Sequence, residues 1–204
     1  STPSNSSAAS DVYKRQTTFL VTRGIRPDVL ASLEEEPTQL YISLEAWCKE
    51  VYNYFNKPLV PRGWELTLET LDLLPSFTSP TVIRITLVKG LNMSDEAIKG
   101  FAKLISIAEP TYIEPKAYMH VGGSIERLSR DNMPTFAEVM DFAKKLADET
   151  GYKVVSYSIP SRVVLLTKLP GPIIRYGKGC PKAWEEAEVG DEFSGEYGHV
   201  SEVV

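Results

Sequence analysis

The stretch VIRITLVKG at residues 82–90 constrains the fold more than any other part of the chain. Its β-branched run reads as a strand, and side chains alternate along a strand, so Ile83, Ile85 and Leu87 share one face while Arg84 and Thr86 share the other. Two more segments repeat the arrangement. In QLYISLE, Tyr41, Ser43 and Glu45 oppose Ile42 and Leu44; in TYIEPKAY, Tyr112, Glu114, Lys116 and Tyr118 share a face. A doubly wound sheet is covered by helices on both sides and its strands are apolar on both. Strands with one polar face need a lumen, or the inner side of an incomplete barrel, to receive it. Desolvating an unpaired charge costs several kcal/mol, on the order of 3–5, so these groups pair with one another or meet a polar ligand.

The order of segments fits that architecture. Strand 18–22 precedes Pro27 and a short helix near 28–35; strand 39–45 precedes helices at 46–56 and 62–74; strand 81–88 ends at Gly90. Ser94 can cap a helix over 95–108, strand 111–118 runs into a loop with Gly122 and Gly123, and Thr135 with Glu138 forms a capping box for helix 136–150, closed by Gly151. Two short strands, near 153–158 and 162–167, flank Ile159-Pro160. Repeated β-then-α units predict an α/β fold with a mostly parallel sheet, a fragment of a partial TIM-like barrel. In such barrels ligands gather at the carboxyl ends of the strands, which places Thr22, Glu45, Lys89, Lys116 and the loop 119–124 at the working rim.

Charge and cysteine usage narrow the classes. The chain of 204 residues carries a formal charge of −5, but Glu185 to Val204 holds seven carboxylates and no lysine or arginine. Taking those seven from the 27 acidic residues leaves 20 against 22 basic ones, so the body is nearly neutral. Two cysteines, Cys48 and Cys180, fit a reducing cytoplasm and exclude a cysteine-rich metal site built from this chain alone. His120 falls in the rim loop and His199 in the acidic tail, with no metal-ligand spacing between them. No apolar run is long enough to span a membrane, so none is expected as a partner. Residues 1–16 are polar and half serine at the start; DVYKRQ resembles a translated sequencing-adaptor scar. They are expected to be disordered or foreign, with the fold occupying 17–169, an acidic tail over 170–204 with a short helix at 181–187, and the natural protein continuing upstream.

The blocks FLVTRG, PTQLYISLEA, NKPLVPRGWE, IRITLVKGLNM, YIEPKAYMHVGGS and NMPTFAEV, in this order, resemble the C-terminal part of the tRNA 4-demethylwyosine synthases, over about residues 18–168. These are radical S-adenosylmethionine enzymes. The resemblance implies a partial (β/α)6 barrel and the condensation of pyruvate with 1-methylguanosine in phenylalanine tRNA, giving the tricyclic wyosine base. It also implies S-adenosylmethionine, a 4Fe–4S cluster held by CxxxCxxC, and an electron donor. The CxxxCxxC motif, the family's Gly-Glu segment and its upstream pyruvate-holding lysine do not occur here. Arg23 stands where the family usually has Asn, Glu45 for Asp, and Ala117 for Gly. On this reading Thr22, Ser43, Arg84 and Thr86 face the cofactor, with Arg84 taking its carboxylate. Lys89, Asn92, Glu114, Lys116, Tyr118 and His120 face the nucleotide or the keto acid, and Arg127 and Arg130 the RNA backbone. Two other readings remain open: a small barrel lyase or aldolase acting on a keto acid through a Schiff base at Lys116, and a non-catalytic RNA-binding domain.

Overall fold

In the computed structural model, which describes residues 18–175 and 188–189, the chain forms β1 (Phe19–Thr22), α1 (Pro27–Ala31), β2 (Gln39–Ser43), α2 (Lys49–Asn56), α3 (Gly63–Leu73), β3 (Thr81–Leu87), α4 (Asp95–Ala108), β4 (Tyr112–Ala117), α5 (Phe136–Thr150), β5 (Lys153–Ser158) and β6 (Val163–Thr167). A short two-stranded ladder pairs β7 (Ile173–Arg175) with β8 (Glu188–Val189). The predicted short helix at 181–187 and Cys180 lie outside the described residues.

The six-stranded sheet has the order β1-β2-β3-β4-β6-β5. Its first four strands are parallel and advance in one direction. Right-handed crossovers between strands that always step the same way put every connecting helix on the same side, as a barrel does and a doubly wound sheet does not. The core agrees. Leu30, Tyr52, Trp64, Leu71, Phe101 and Phe142 from the five helices join Leu40, Ile42, Ile83, Ile85, Ile113, Val164 and Leu166 of the strands in one buried cluster. The β5–β6 hairpin departs from the parallel pattern: β6 runs antiparallel beside β4, and β5 takes the edge.

Local chemistry sets the element ends. Ser94 caps α4 by accepting from the Ala97 N–H. Thr135 and Glu138 form the capping box of α5, and Gly151 ends it with φ 73°, a left-handed conformation that glycine adopts without steric cost. Thr18 and Thr38 exchange reciprocal bonds between hydroxyl and backbone N–H where β1 and β2 begin; Thr81 and Thr111 do the same for β3 and β4. Two helices are shorter than expected. The first stops at Ala31, and α2 begins at Lys49 because Cys48 is extended (φ −149°, ψ 167°) and serves as its N-cap.

Candidate active-site face

The face opposite the helices is built in rows by the strand register. The lowest row aligns Tyr41, Val82, Tyr112 and Thr167; the next Ser43, Arg84 and Glu114; the next Thr86, Lys116 and Val163. The lowest level is apolar and closed. Val82, Tyr112, Val155 and Leu165 are buried there under Leu169 and Ile173, and the Tyr112 hydroxyl accepts from the Ile173 N–H at 2.8 Å. Above this floor the face is polar and open.

Its central feature is the ion pair of Arg84 and Glu114, with Nε to Oε1 at 2.7 Å and side-chain exposures of 30% and 11%. The guanidinium also lies over the Tyr41 ring, 4.8 Å from its centroid, a cation–π arrangement. Burial first, and then the charge of Glu114, raises the Tyr41 phenol above its ordinary pKa, with Arg84 opposing. Among the described residues Arg84 makes no other side-chain hydrogen bond, so its outer N–H groups remain available. Ser43 and Thr86, half-buried on either side, direct neither hydroxyl to a described residue, and the Lys116 amine makes no ion pair or hydrogen bond there.

At the carboxyl ends of the strands the rim is tied together by buried polar groups. Asn92 is fully buried: its Oδ1 accepts from the Val88 N–H (2.7 Å), and its Nδ2 donates to the carbonyls of Glu45 and Thr86 (both 2.9 Å). Arg23 bridges the Glu45 carboxylate (3.7 Å) and the Asn56 Oδ1 (2.9 Å). Beyond β4, the Tyr118 hydroxyl donates to Ser124 Oγ (3.0 Å), and the Ser124 hydroxyl donates to the Val121 carbonyl (2.6 Å). That leaves the Tyr118 oxygen to accept from His120 Nδ1, 3.2 Å away. With that pattern Nδ1 is the donor of the pair. The loop is held down by Asn132, which accepts from the Lys89 N–H and donates to the Lys89 carbonyl, and by Arg127, which donates to the Phe55 carbonyl (3.1 Å).

The structure thus brings Ser43, Arg84, Thr86, Glu114 and Lys116 onto one face, with Tyr118 and His120 at its rim. Three other candidates sit differently. Thr22 pairs in register with Ile42, so it lies on the helix side of the sheet at the end of β1, and its hydroxyl accepts from the Gly24 N–H. Asn92 lies inside the rim with its amide committed to backbone. Lys89 turns outward to Glu138, whose carboxyl it holds down at about 2 together with the Thr135 N–H. Tyr41 was missed as a site residue, although its place on the polar face of 39–45 was legible and only its stacking under Arg84 was not.

The described residues contain no group of three or more His, Cys, Asp or Glu able to hold a metal ion, and no helix among them is long and apolar enough to cross a membrane. Cys48, half-buried, is a free thiol.

Comparison with known proteins finds relatives for the sequence and the fold. A family model described as "Wyosine base formation" matches residues 107–168. The S-adenosyl-L-methionine-dependent tRNA 4-demethylwyosine synthase of Pyrococcus horikoshii is 44% identical over 156 residues, 74% of this chain and 45% of that protein. The same-named protein of Methanocaldococcus jannaschii is 41% identical over 74% of this chain and 46% of its own length. A solved structure of TYW1 with a lysine-pyruvate adduct bound superposes with a TM-score of 0.66 at 39% identity, covering 74% of this chain and 47% of that one. The chain spans about half the length of these relatives. Over about three quarters of its length, then, the chain is homologous to the S-adenosyl-L-methionine-dependent tRNA 4-demethylwyosine synthases.

Proposed function

We propose that this chain is the C-terminal part of a tRNA 4-demethylwyosine synthase, a cytoplasmic enzyme that condenses pyruvate with 1-methylguanosine of phenylalanine tRNA, and that its open face forms one wall of the cofactor and substrate pocket. What supports this reading is the ion pair of half-buried Arg84 with buried Glu114 at the centre of a polar sheet face, in a fold that superposes on TYW1. The residues fit S-adenosylmethionine. The free N–H groups of Arg84 suit its carboxylate, and the Ser43 and Thr86 hydroxyls suit its polar ribose or amino group. Thr22, at the end of the neighbouring strand, flanks the same rim from the helix side. When bound, this cofactor supplies the radical chemistry of the reaction. Glu114 holds the arginine in place, and Lys116, Tyr118 and His120 face the keto acid or the target base, with Lys89 at the outer rim. Asn92 acts as a positioning residue by fixing the ends of β2 and β3.

A 4Fe–4S cluster does not fit the residues present: the sequence holds two cysteines and no CxxxCxxC. The chain by itself is therefore expected to be inactive, with cluster and electron-donor contacts supplied by other parts of the enzyme. The test places residues 18–168 into the Pyrococcus horikoshii protein in exchange for the matching segment and measures S-adenosylmethionine affinity. Arg84→Met should weaken binding by two orders of magnitude or more, on the basis of about 3 kcal/mol for a charge-assisted bidentate contact. An affinity unchanged by that substitution removes the role of Arg84. A second reading, a keto-acid Schiff base at Lys116, is favoured by its amine on the open face, unpaired among the described residues. Borohydride reduction with pyruvate tests it, and the absence of an adduct on the Lys116 peptide ends it.

A further inference from the structure

Away from the open face, a cleft of about 300 Å³ lies between the end of α2 and the loop after β4, lined by Tyr54, Phe55, Lys57, Leu91, Arg127 and Leu128. Its place in the fold is specific. Leu91 follows the end of β3, Arg127 and Leu128 follow the end of β4, and the Phe55 carbonyl receives a hydrogen bond from Arg127. Next to it, Asn56 is bonded to Arg23 at the end of β1. The cleft therefore opens at the same end of the strands as the polar face. Its volume is at the lower end for ligand sites and suits one flat ring system rather than a large ligand.

The lining is aromatic, aliphatic and cationic, with no carboxylate. The rings of Tyr54 and Phe55 stand nearly perpendicular, 88° apart with centroids at 6.3 Å, so a planar base stacked on one meets the other edge-on. Tyr54 is 66% exposed, so its ring is open to such a partner. Arg127 is pinned through one N–H to the Phe55 carbonyl, which orients the guanidinium and leaves its other donors free, and Lys57 adds a second positive charge with no ion pair among the described residues. Aromatic faces beside cations that follow a phosphate are how proteins hold unpaired nucleotides.

We propose that this cleft takes an unpaired RNA nucleotide flanking the base that is modified, with its base against Tyr54 and Phe55 and its phosphate against Arg127 and Lys57. The proposal rests on the reading of the chain as part of a tRNA-modifying enzyme and adds a second point of contact on the RNA, apart from the open face.

The test is fluorescence anisotropy with the full chain and a labelled anticodon stem-loop of phenylalanine tRNA. Tyr54→Ala should weaken binding about tenfold while Tyr54→Phe keeps it, as expected for stacking. Arg127→Ala and, separately, Lys57→Ala should weaken binding and lower the slope of log K against log salt by about 0.7 each, the loss of one phosphate contact on a single strand. An abasic site at the flanking position should weaken wild-type binding as much as Tyr54→Ala does, and should cost the Tyr54→Ala protein nothing further. The Lys57 side chain is exposed and makes no hydrogen bond or ion pair among the described residues, so its variant remains informative if Arg127→Ala disturbs the loop. Wild-type-like binding by folded Tyr54→Ala and Lys57→Ala proteins overturns the proposal, as does failure of the wild-type chain to bind the stem-loop at low salt. The cofactor measurement on the exchanged enzyme is independent of this one: cofactor binding with no effect at Tyr54 rejects only the cleft. Tyr54-dependent RNA binding without cofactor binding rejects only the enzymatic reading.

Discussion

Replacing Arg84 by Met keeps an unbranched side chain but removes the guanidinium that lies over Tyr41 and leaves Glu114 without its cation. Removing one partner of a fully buried pair costs about 3–5 kcal/mol. Here the carboxylate is 11% exposed and the guanidinium 30%, so water replaces part of what is lost, and a cost of about 2–3 kcal/mol is expected. Glu114→Gln should cost less, about 1–2 kcal/mol, because the more exposed Arg84 keeps its contact with the Tyr41 ring and an amide oxygen can still accept from Nε. The double variant Arg84→Met/Glu114→Gln should be about as stable as Arg84→Met alone, with a coupling energy of about 1–2 kcal/mol, because Glu114→Gln costs little once the cation is gone. Urea unfolding of the four proteins, with an unchanged m-value, gives that number. A coupling below about 0.5 kcal/mol would refute the reasoning, because it is what a solvent-exposed pair delivers.

Other consequences can be checked on the same chain. Asn92→Leu leaves the Val88 N–H and the Glu45 and Thr86 carbonyls without their partner and should cost about 2–4 kcal/mol in chemical denaturation, whereas substitution of exposed Lys99 should be neutral. At Gly100, inside α4, an added Cβ would collide with the Trp47 ring; Gly100→Ala should therefore destabilise by about 1–3 kcal/mol, despite the roughly 1 kcal/mol that alanine gains in helix propensity. Glu138 is held at about 2 by Lys89 and the Thr135 N–H. Its contribution is present above the unfolded pKa, roughly 4.3, and is lost as pH falls toward 2, so the stability gap between wild type and Glu138→Gln should close over that window; a gap that persists below pH 2 contradicts this.

What could be read in the sequence was what depends on short range. Alternation gave the polar faces of 39–45, 81–88 and 111–118, and the cap residues Ser94, Thr135, Glu138 and Gly151 marked helix ends that the structure keeps. One helix start without a strong signal was misplaced: Cys48 gives no side-chain cap bond, so nothing in the sequence separated residues 46–48 from α2. Pairings between distant residues were out of reach. The Glu36 carboxylate accepts from the backbone of Thr78 and Ser79, more than forty positions away, and the Arg84–Glu114 bond needs β3 and β4 in register. The side of the sheet that Thr22 takes was hidden for the same reason: alternation within one strand does not say which parity faces the helices, and its pairing with Ile42 decides that. Asn92 looked like a rim residue from its place after a strand, and only the three-dimensional convergence of Val88, Thr86 and Glu45 shows it to be a buried tie.

The most direct test of the central claim is product formation by the exchanged enzyme. Residues 18–168 of this chain replace the matching segment of the Pyrococcus horikoshii synthase, and phenylalanine tRNA carrying 1-methylguanosine is incubated with S-adenosylmethionine, pyruvate and reductant. Mass spectrometry of the digested nucleosides should show 4-demethylwyosine, and none with Arg84→Met. A folded, cluster-loaded exchange protein that leaves 1-methylguanosine unchanged would contradict the account.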